Sequence, residues 1–428
     1  MKVLIKNGHV LDPAGGKDGI YDILMEGGRI AKVEASIADE AEETVDARGL
    51  YVMPGFVDLH VHLREPGYEA KETIRTGSLA AARGGFTSIC PMPNTNPAID
   101  SRCMVEYLLM KAEKEAVVNI WPVGAVTRGQ SGDKTADVAG MAEAGAVALS
   151  EDGKSVMDTK VYLEGMRLAA GAHIPVLAHC EDRVLAGNGV MNDGSRAREL
   201  GMEGISNAVE DVIAARDIIM AKEAGVKLHL CHCSTRDSVA LVKLAKEWGQ
   251  DVTAEVCPHH FTMSDDEIPG DDANYKMNPP LRSREDVTAL KEGLRDNIMD
   301  VIATDHAPHT EEEKLRSIKD SPFGIVGLET AFSLAVTELV DQGYLTPLQL
   351  VEKMSYNPAK VIGIQRGTLV PGSAADVVIA NMNAEYVIDS NTFASKGKNT
   401  PFHGKPVRGR IEKTYVDGEL VYDYKTQN

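Results

Sequence analysis

The sequence predicts an α/β protein, namely a (β/α)8 barrel of the TIM type with a small β-sandwich domain formed by both chain ends. Three observations lead to this fold class. Short apolar runs alternate with helix-like segments through the middle of the chain, almost every run ends in a reactive or hydrogen-bonding residue, and both ends contain short β segments with turn signals. Such alternation is typical of βα units arranged around a parallel sheet.

Eight strand-like runs make up the predicted barrel, and eight βα units are what this fold requires. In chain order the runs are Phe56–His62, Thr87–Met92, Asn119–Val126, Ala146–Ser150, Pro175–His179, Lys227–His232, Val252–Cys257 and Met299–Thr304. The helix-like segments between them include Glu69–Arg83, Met104–Glu115, Val161–Ala170, Val209–Ala224, Ser238–Trp248 and Arg284–Arg295. In such barrels the active site forms at the carboxyl ends of the strands.

Both chain ends are predicted to pair into the small β domain. The strand-like segments there are Val3–Lys6, Tyr21–Met25, Ile30–Val33, Thr44–Asp46, Asp376–Ala380, Tyr386–Ile388, Ile411–Val416 and Glu419–Tyr422. The last two flank Asp417-Gly418, and Asp-Gly between two strands is a strong hairpin signal. We therefore expect the β-sandwich to combine residues 1–54 and 364–428, and the barrel to occupy residues 55–363.

Composition limits the classes of partner. The 428-residue chain has a formal net charge of -19, which argues against a general nucleic-acid or anionic-membrane binder, since both need basic surface. The N-terminus lacks the apolar core of a signal peptide, and no apolar run reaches the length of about 18 residues that a membrane span needs. Six scattered cysteines fit free thiols in a reducing, cytoplasmic setting better than a disulfide framework.

His60 and His62 are the most informative pair in the sequence. Because side chains alternate on a strand, both imidazoles project to one face, about 6.6 Å apart at ~3.3 Å per residue, and can converge on one metal ion. Arg64 follows at the same spacing of two residues, so its guanidinium would point to the same face. There it could bind a substrate carboxylate beside that metal. The spacing therefore predicts a hydrolytic metal site that recognises an anionic substrate.

Four other strand ends supply further candidate ligands: Asp152, His179, His232 and Asp305. Taken alone, each is more simply interpreted as a hydrogen-bonded core histidine, a turn residue or a helix cap. Burying several ionisable groups at one barrel mouth costs several kcal/mol each unless they are paired or metal-bound, and that favours a metal site. One catalytic zinc needs about three protein ligands plus a water, so six candidates predict two ions bridged by a carboxylate.

Cysteine is also a zinc ligand, and Cys231 and Cys233 flank His232. Alternation along a strand argues against a thiolate site, because both cysteines would point away from the face that His232 occupies. We expect them to pack against the outer helices as small apolar groups, and we expect the same of Cys180 beside His179.

The sequence resembles the long bacterial dihydroorotases of the amidohydrolase superfamily over essentially its whole length. The motifs that carry the resemblance are DLHVHLREPG at 58–67, MPNT at 92–95, NPPLR at 278–282, TDHAPH at 304–309 and PFG at 322–324. The first motif alone marks the superfamily. The arginine within it and the DHAPH sequence point to this family in particular.

The resemblance implies a zinc site of two ions. By analogy His60, His62 and Asp305 bind one ion, while His179 and His232 bind the second. Many superfamily members bridge the ions with a carboxylated lysine after strand four, whereas the family that this chain resembles uses an aspartate. We assign the bridge to Asp152, with Lys154 as the alternative; loose binding by Asp152 would leave the second ion partly occupied.

The resemblance also implies the substrate and the reaction. The expected activity is the reversible interconversion of N-carbamoyl-L-aspartate and (S)-dihydroorotate plus water in pyrimidine biosynthesis, with Asp305 as the catalytic base. The implied substrate contacts are His62, Leu63, Arg64, Asn94, Asn278, His309, Phe323 and Gly324. A homodimer is expected, as is common among relatives. The alternatives are another cyclic amidase, such as a hydantoinase or allantoinase, and a catalytically silent homologue.

Overall fold

The structure, a computed structural model, describes residues 2–427 and confirms the predicted fold class. Barrel strands 1 to 8 are Phe56–Val61, Phe86–Pro91, Asn119–Ile120 continued by Val123–Ala125, Ala148–Ser150, Val176–Ala178, Leu228–Leu230, Val252–Val256 and Val301–Ile302. Neighbouring strands pair in parallel, and a parallel bridge between Val61 and His306 joins strand 1 to the end of strand 8. Strand 3 is interrupted at Pro122, which has no N–H for the ladder.

Helices follow most barrel strands and cover the outside of the barrel. The α-helices are Ile74–Arg83, Arg102–Glu115, Val138–Ala144, Thr159–Gly171, Arg183–Ala186, Ser195–Leu200, Ala208–Ala224, Arg236–Glu247, Pro258–Thr262, Arg284–Arg295, Glu311–Lys314, Ala331–Ala335, Pro347–Val351, Asn357–Ile362 and Tyr424–Gln427. The first of these begins later than the sequence predicts. Thr73 caps it, because its hydroxyl accepts a hydrogen bond from the backbone N–H of Thr76.

Strands from both chain ends form one eight-stranded sheet. Its strands are Lys2–Asp12, Lys17–Glu26, Arg29–Glu34, Glu43–Asp46, Tyr51–Pro54, Val377–Val387, Pro406–Val416 and Glu419–Asp423. Tyr51–Pro54, which the sequence does not separate from the first barrel run, pairs with both terminal halves of this sheet. The domain boundaries after residues 54 and 363 stay a prediction, while the sheet itself has a separate apolar core that includes Ile5, Ile23 and Tyr415.

The barrel interior holds a second apolar cluster. Val57, Leu59, Cys90, Leu177, Cys231 and Val301 belong to it, and these residues come from strands on all sides of the barrel or directly follow them. The expectation that Cys231 packs against the outer helices is wrong, because its thiol lies among the ligand atoms of His60 and Glu255 on the inner face of the barrel. His232 has a positive φ of 35°, which breaks the alternation on which that prediction relied. Cys180 and Cys233 do join the larger cluster that the outer helices share.

All six cysteines are free thiols, and only Cys103 is exposed. In the described part of the chain, no helix combines the length and apolar character that a membrane span requires.

Candidate functional site

The six predicted metal ligands converge at one end of the barrel. His60 belongs to strand 1 and His62 follows it directly; the other four lie one to three residues beyond their strands. All six side chains are buried. The carboxyl ends of parallel barrel strands meet at one rim, so residues that are up to 245 positions apart in sequence share one site.

Asp305 lies against the pair from strand 1. Its Oδ1 is 3.0 Å from His62 Nε2 and 3.5 Å from His60 Nε2. Ligand atoms of these three residues are close enough to surround a single ion. The chain turns sharply here, since Asp305 has a positive φ of 48°, and this conformation directs its carboxylate to the imidazoles.

Asp152 lies between that group and the second pair of histidines. Its Oδ1 is 3.1 Å from His60 Nε2, 3.6 Å from His179 Nδ1 and 4.0 Å from His232 Nε2. A carboxylate in this place is within reach of two cations at once. The Lys154 ammonium instead donates to the backbone carbonyl of Gln130 at 3.1 Å, which favours Asp152 as the bridge.

The outer nitrogens of three imidazoles meet acceptor oxygens. His60 Nδ1 is 3.0 Å from Glu255 Oε1, His62 Nδ1 is 3.0 Å from Asn94 Oδ1, and His179 Nε2 is 3.1 Å from Glu181 Oε2. Each outer nitrogen can therefore carry a proton, which leaves the inner nitrogen of the ring available to a metal ion. Among residues 2–427, the buried His60 Nε2 finds no partner with hydrogen-bond geometry, although Asp152 Oδ1 lies 3.1 Å away. Imidazole nitrogens and carboxylates that face one another fit a bound cation.

Charges in the cluster shift the pKa values of its members in both directions. Burial alone would lower the pKa values of His60 and His179, but Asp152 outweighs it and raises both, so a bound metal must displace a proton from these two rings. Burial alone would raise the pKa of Asp305, but His60 and His62 outweigh it and hold this pKa well below its usual range. Burial, together with the neighbouring imidazoles of His179 and His60, lowers the pKa of His232 to about 3. A neutral imidazole and an ionised carboxylate are the forms that bind divalent metals.

A cavity of about 160 Å³ opens beside these ligands. Of the predicted substrate contacts, those that line it are His62, Arg64, Asn94, Asn278, Phe323 and Gly324. Gly324 has a φ of 131°, and a Cβ there would lie 2.7 Å from Ala307 Cβ, so glycine is required at this wall. The cavity is therefore lined by the guanidinium of Arg64 and the side-chain amides of Asn94 and Asn278 as well as by candidate metal ligands.

Two predicted contacts lie outside the lining. Leu63 is buried in the main apolar cluster, because alternation turns its side chain away from the face of His62. His309 lies behind the wall, where its Nε2–H donates to Phe323 O at 2.8 Å and its Nδ1 accepts from Lys71 Nζ at 3.3 Å. Burial and the charges of Arg64 and Lys71 lower the pKa of His309 to about 3, so this ring is neutral.

Sequence reasoning did not find two buried or half-buried glutamates that support the ligands. Glu255 on strand 7 is fully buried and accepts hydrogen bonds from His60, His229 and the backbone N–H of His232. Glu181 contacts His179 and also accepts from Asn278 Nδ2 at 3.1 Å, so it links a candidate ligand to a candidate substrate contact. A charged residue inside an apolar strand was the available signal for Glu255.

Replacing Glu255 with glutamine should weaken metal binding about 10- to 100-fold, because a neutral amide no longer fixes the proton on His60 Nδ1. The measurement is metal content after competition with a chelator. Asp217→Asn is the matched control, since Asp217 is equally buried but bonds to Arg216 and Tyr162. Equal losses of metal in both variants would contradict this role.

Relatives with curated names match the chain over nearly its whole length. A protein named Dihydroorotase from Pelotomaculum thermopropionicum is 49% identical over 421 residues, which cover 98% of each chain. Another Dihydroorotase, from Caldanaerobacter subterraneus subsp. tengcongensis, is 48% identical and covers 99% of this chain and 97% of its own. The chain belongs to the dihydroorotase family. A model of the Dihydro-orotase-like family also matches residues 49–238.

Solved structures of cyclic amidases share the fold. The L-hydantoinase (dihydropyrimidinase) from Arthrobacter aurescens has a TM-score of 0.88 at 29% identity and covers 98% of this chain and 96% of its own. A dihydropyrimidinase from Brevibacillus agri has a TM-score of 0.87 at 24% identity, which speaks for the fold alone. Membership of the dihydroorotase family and these folds confirm the predicted enzyme class, a metal-dependent cyclic amide hydrolase.

Proposed function

We propose that this enzyme is a dihydroorotase, which interconverts N-carbamoyl-L-aspartate and (S)-dihydroorotate plus water in pyrimidine biosynthesis. The observation that carries the proposal is Arg64 at the wall of the cavity that the candidate metal ligands share. A guanidinium there suits the ring carboxylate of dihydroorotate, because it binds carboxylates through two parallel hydrogen bonds. The names of the relatives support the same substrate.

We propose that the site holds two zinc ions. His60, His62 and Asp305 would bind one ion, His179 and His232 the other, and Asp152 would lie between them. When bound, such ions lower the pKa of a coordinated water and polarise the amide carbonyl. The donor set of imidazoles and carboxylates, in which His60 Nε2 faces the Asp152 and Asp305 carboxylates without a well-formed hydrogen bond, fits this assignment.

Asp305 is proposed to move the proton during catalysis. Its ionised carboxylate lines the cavity beside His62, where it is placed to accept the proton of the attacking water. It would then deliver this proton to the ring nitrogen that leaves, which is general base and general acid catalysis by one group. In the biosynthetic direction the same carboxylate would take the proton from the closing amide nitrogen.

The remaining groups are proposed to orient the substrate. Asn94 and Asn278 each offer an amide, which both donates and accepts and so suits ring amide edges and a carboxylate. His62, Leu63, His309, Phe323 and Gly324 complete the proposed contacts. Because the Leu63 and His309 side chains lie outside the cavity lining, their proposed contribution is to shape its wall.

Replacing Arg64 with alanine should raise the KM for dihydroorotate at least tenfold and change kcat less, because carboxylate recognition is lost while the ligands remain. Steady-state kinetics of ring opening measure this effect. Arg64→Lys is the matched variant, and it should lose less affinity because it keeps the charge but not the planar fork. An unchanged KM in Arg64→Ala would remove Arg64 from substrate binding.

Hydantoinases and allantoinases are the second candidate function, since solved hydantoinases share the fold. A substrate panel separates the candidates: we expect turnover of dihydroorotate and none of hydantoin or allantoin. Loss of this preference would favour the alternative, and absence of both metal and turnover would favour a silent homologue. We further propose a homodimer in the cytoplasm that acts on a small molecule and does not bind nucleic acid or membranes, consistent with a net charge of -19.

A further inference from the structure

Asn399 contacts two loops beside the candidate active site although it belongs to the C-terminal part of the chain. Residues 388–405 connect two strands of the terminal sheet, Val377–Val387 and Pro406–Val416, and part of this connection packs against the barrel mouth. Asn399 is only 4% exposed. Its Oδ1 accepts from the backbone N–H of His309 at 3.0 Å, and its Nδ2 donates to Ala307 O at 3.2 Å and Gly324 O at 3.0 Å.

These three hydrogen bonds join two loops that shape the cavity. The loop after strand 8 carries Asp305 and His309, and the second loop carries Phe323 and Gly324. The site offers one N–H donor and two carbonyl acceptors, and a primary amide satisfies all three at once. A carboxylate here would face two carbonyl oxygens, and an apolar side chain would leave three buried backbone groups without this partner.

The segment that carries Asn399 is itself fixed in place. Ser395 Oγ donates to the buried Glu72 Oε2 at 2.5 Å, and Asn399 O accepts from Val326 N at 2.9 Å. Between them the segment runs directly over the strand-8 loop: a Cβ on Gly397 would lie 2.6 Å from Pro308 Cβ. Asn399 therefore holds the two loops from an anchored backbone.

The strand-8 loop in turn holds Arg64. The Arg64 Nε donates to Pro308 O at 3.2 Å. Pro308 lies between Ala307 and His309, whose backbone groups are hydrogen-bonded to the Asn399 side chain. Arg64 also has a positive φ of 61°, so its backbone does not adopt a relaxed strand conformation there. A shift of the strand-8 loop would move the guanidinium relative to the metal ligands.

We propose that Asn399 is a positioning residue for recognition of the substrate carboxylate, which it serves by locking the strand-8 loop to Gly324 and so fixing Arg64 and His309. This inference rests on the proposed dihydroorotase function and adds a specificity device supplied by the C-terminal segment. It assigns to Asn399 no contact with the substrate or with the metal ions. The expected signature is thus an effect on KM with little effect on kcat or on metal content.

Asn399→Ala and Asn399→Asp test the proposal by steady-state kinetics with dihydroorotate, together with metal content and thermal unfolding. We expect the KM to rise about tenfold or more in both variants, because small displacements of binding groups are costly, while kcat changes less than threefold and metal content stays at the wild-type value. Asn192→Ala is the matched control: Asn192 is a buried amide with bonds to Asp265 and Arg282, and its loss should leave the KM unchanged.

The outcomes separate this inference from the function on which it rests. Wild-type protein that does not open dihydroorotate refutes the proposed function. Wild-type turnover with an unchanged KM in both Asn399 variants, or a loss confined to kcat or metal content, overturns the positioning role. Because KM does not depend on the fraction of folded enzyme, partial unfolding of one variant does not imitate the expected result.

Discussion

Asp305→Asn is expected to lower kcat about 10²- to 10⁴-fold, the range for loss of a general acid–base group. Asparagine keeps the shape of the side chain and an oxygen that can face His62, so the fold and part of the metal binding should persist. It has no carboxylate to accept the proton of the attacking water. Steady-state ring opening of dihydroorotate, with metal content measured on the same sample, gives both quantities.

Asp300→Asn is the matched control for this variant. Asp300 directly precedes strand 8, whereas Asp305 follows it, and Asp300 bonds to Lys246 at 2.7 Å rather than to a histidine. We expect the control to cost stability and to leave kcat near the wild-type value. Activity of Asp305→Asn within a few-fold of the wild type would exclude Asp305 as the proton carrier.

Asp152→Ala is expected to reduce the bound metal from about two ions per chain to about one and to lower kcat strongly. Asp152 Oδ1 lies within 4.0 Å of imidazole nitrogens from both proposed ion sites, so its removal takes a shared ligand from each. Elemental analysis after dialysis measures the metal content, and ring-opening kinetics measure the loss of activity.

Lys154→Ala decides between the two candidate bridges. The Lys154 ammonium donates to Gln130 O, so we expect this variant to keep both ions and nearly all activity. If Lys154→Ala lost an ion and Asp152→Ala kept both, the bridge would have to be reassigned to the lysine.

The location of the candidate site at one end of the barrel could be predicted from the sequence, because a single geometric rule determines where the strand ends lie. Parallel strands of a barrel end at the same rim, so a polar residue after each apolar run predicts a shared location without any knowledge of contacts. His60, Asp152 and His179 illustrate this, since they come from separate strands and the Asp152 carboxylate contacts both imidazoles. The same rule explains why the barrel strands could be placed within a few residues.

The directions in which the side chains point were harder to predict, because local backbone conformation overrides strand alternation. His232 and Asp305 adopt positive φ values of 35° and 48°, and such turns leave no periodic signal in the sequence. The error over Cys231 arose in this way. At Leu63, by contrast, strand alternation holds: its side chain is buried in the main apolar cluster, although the residue lies inside the DLHVHLREPG motif.

Supporting residues were missed because their partners are distant in sequence. Glu255 meets His60 across 195 positions, and Asn399 meets His309 across 90. Asn399 was assigned to the small β domain by position alone. A connection that leaves a sheet to cover a barrel mouth has no compositional signature, and only the folded chain reveals it.

The metal dependence of this enzyme is tested most directly by measuring metal content and dihydroorotate ring opening on the same purified protein. A metal-dependent mechanism predicts about two zinc ions per chain, loss of turnover when a chelator removes them, and recovery when zinc is restored. Protein that opens dihydroorotate at an unchanged rate after complete removal of metal would contradict it.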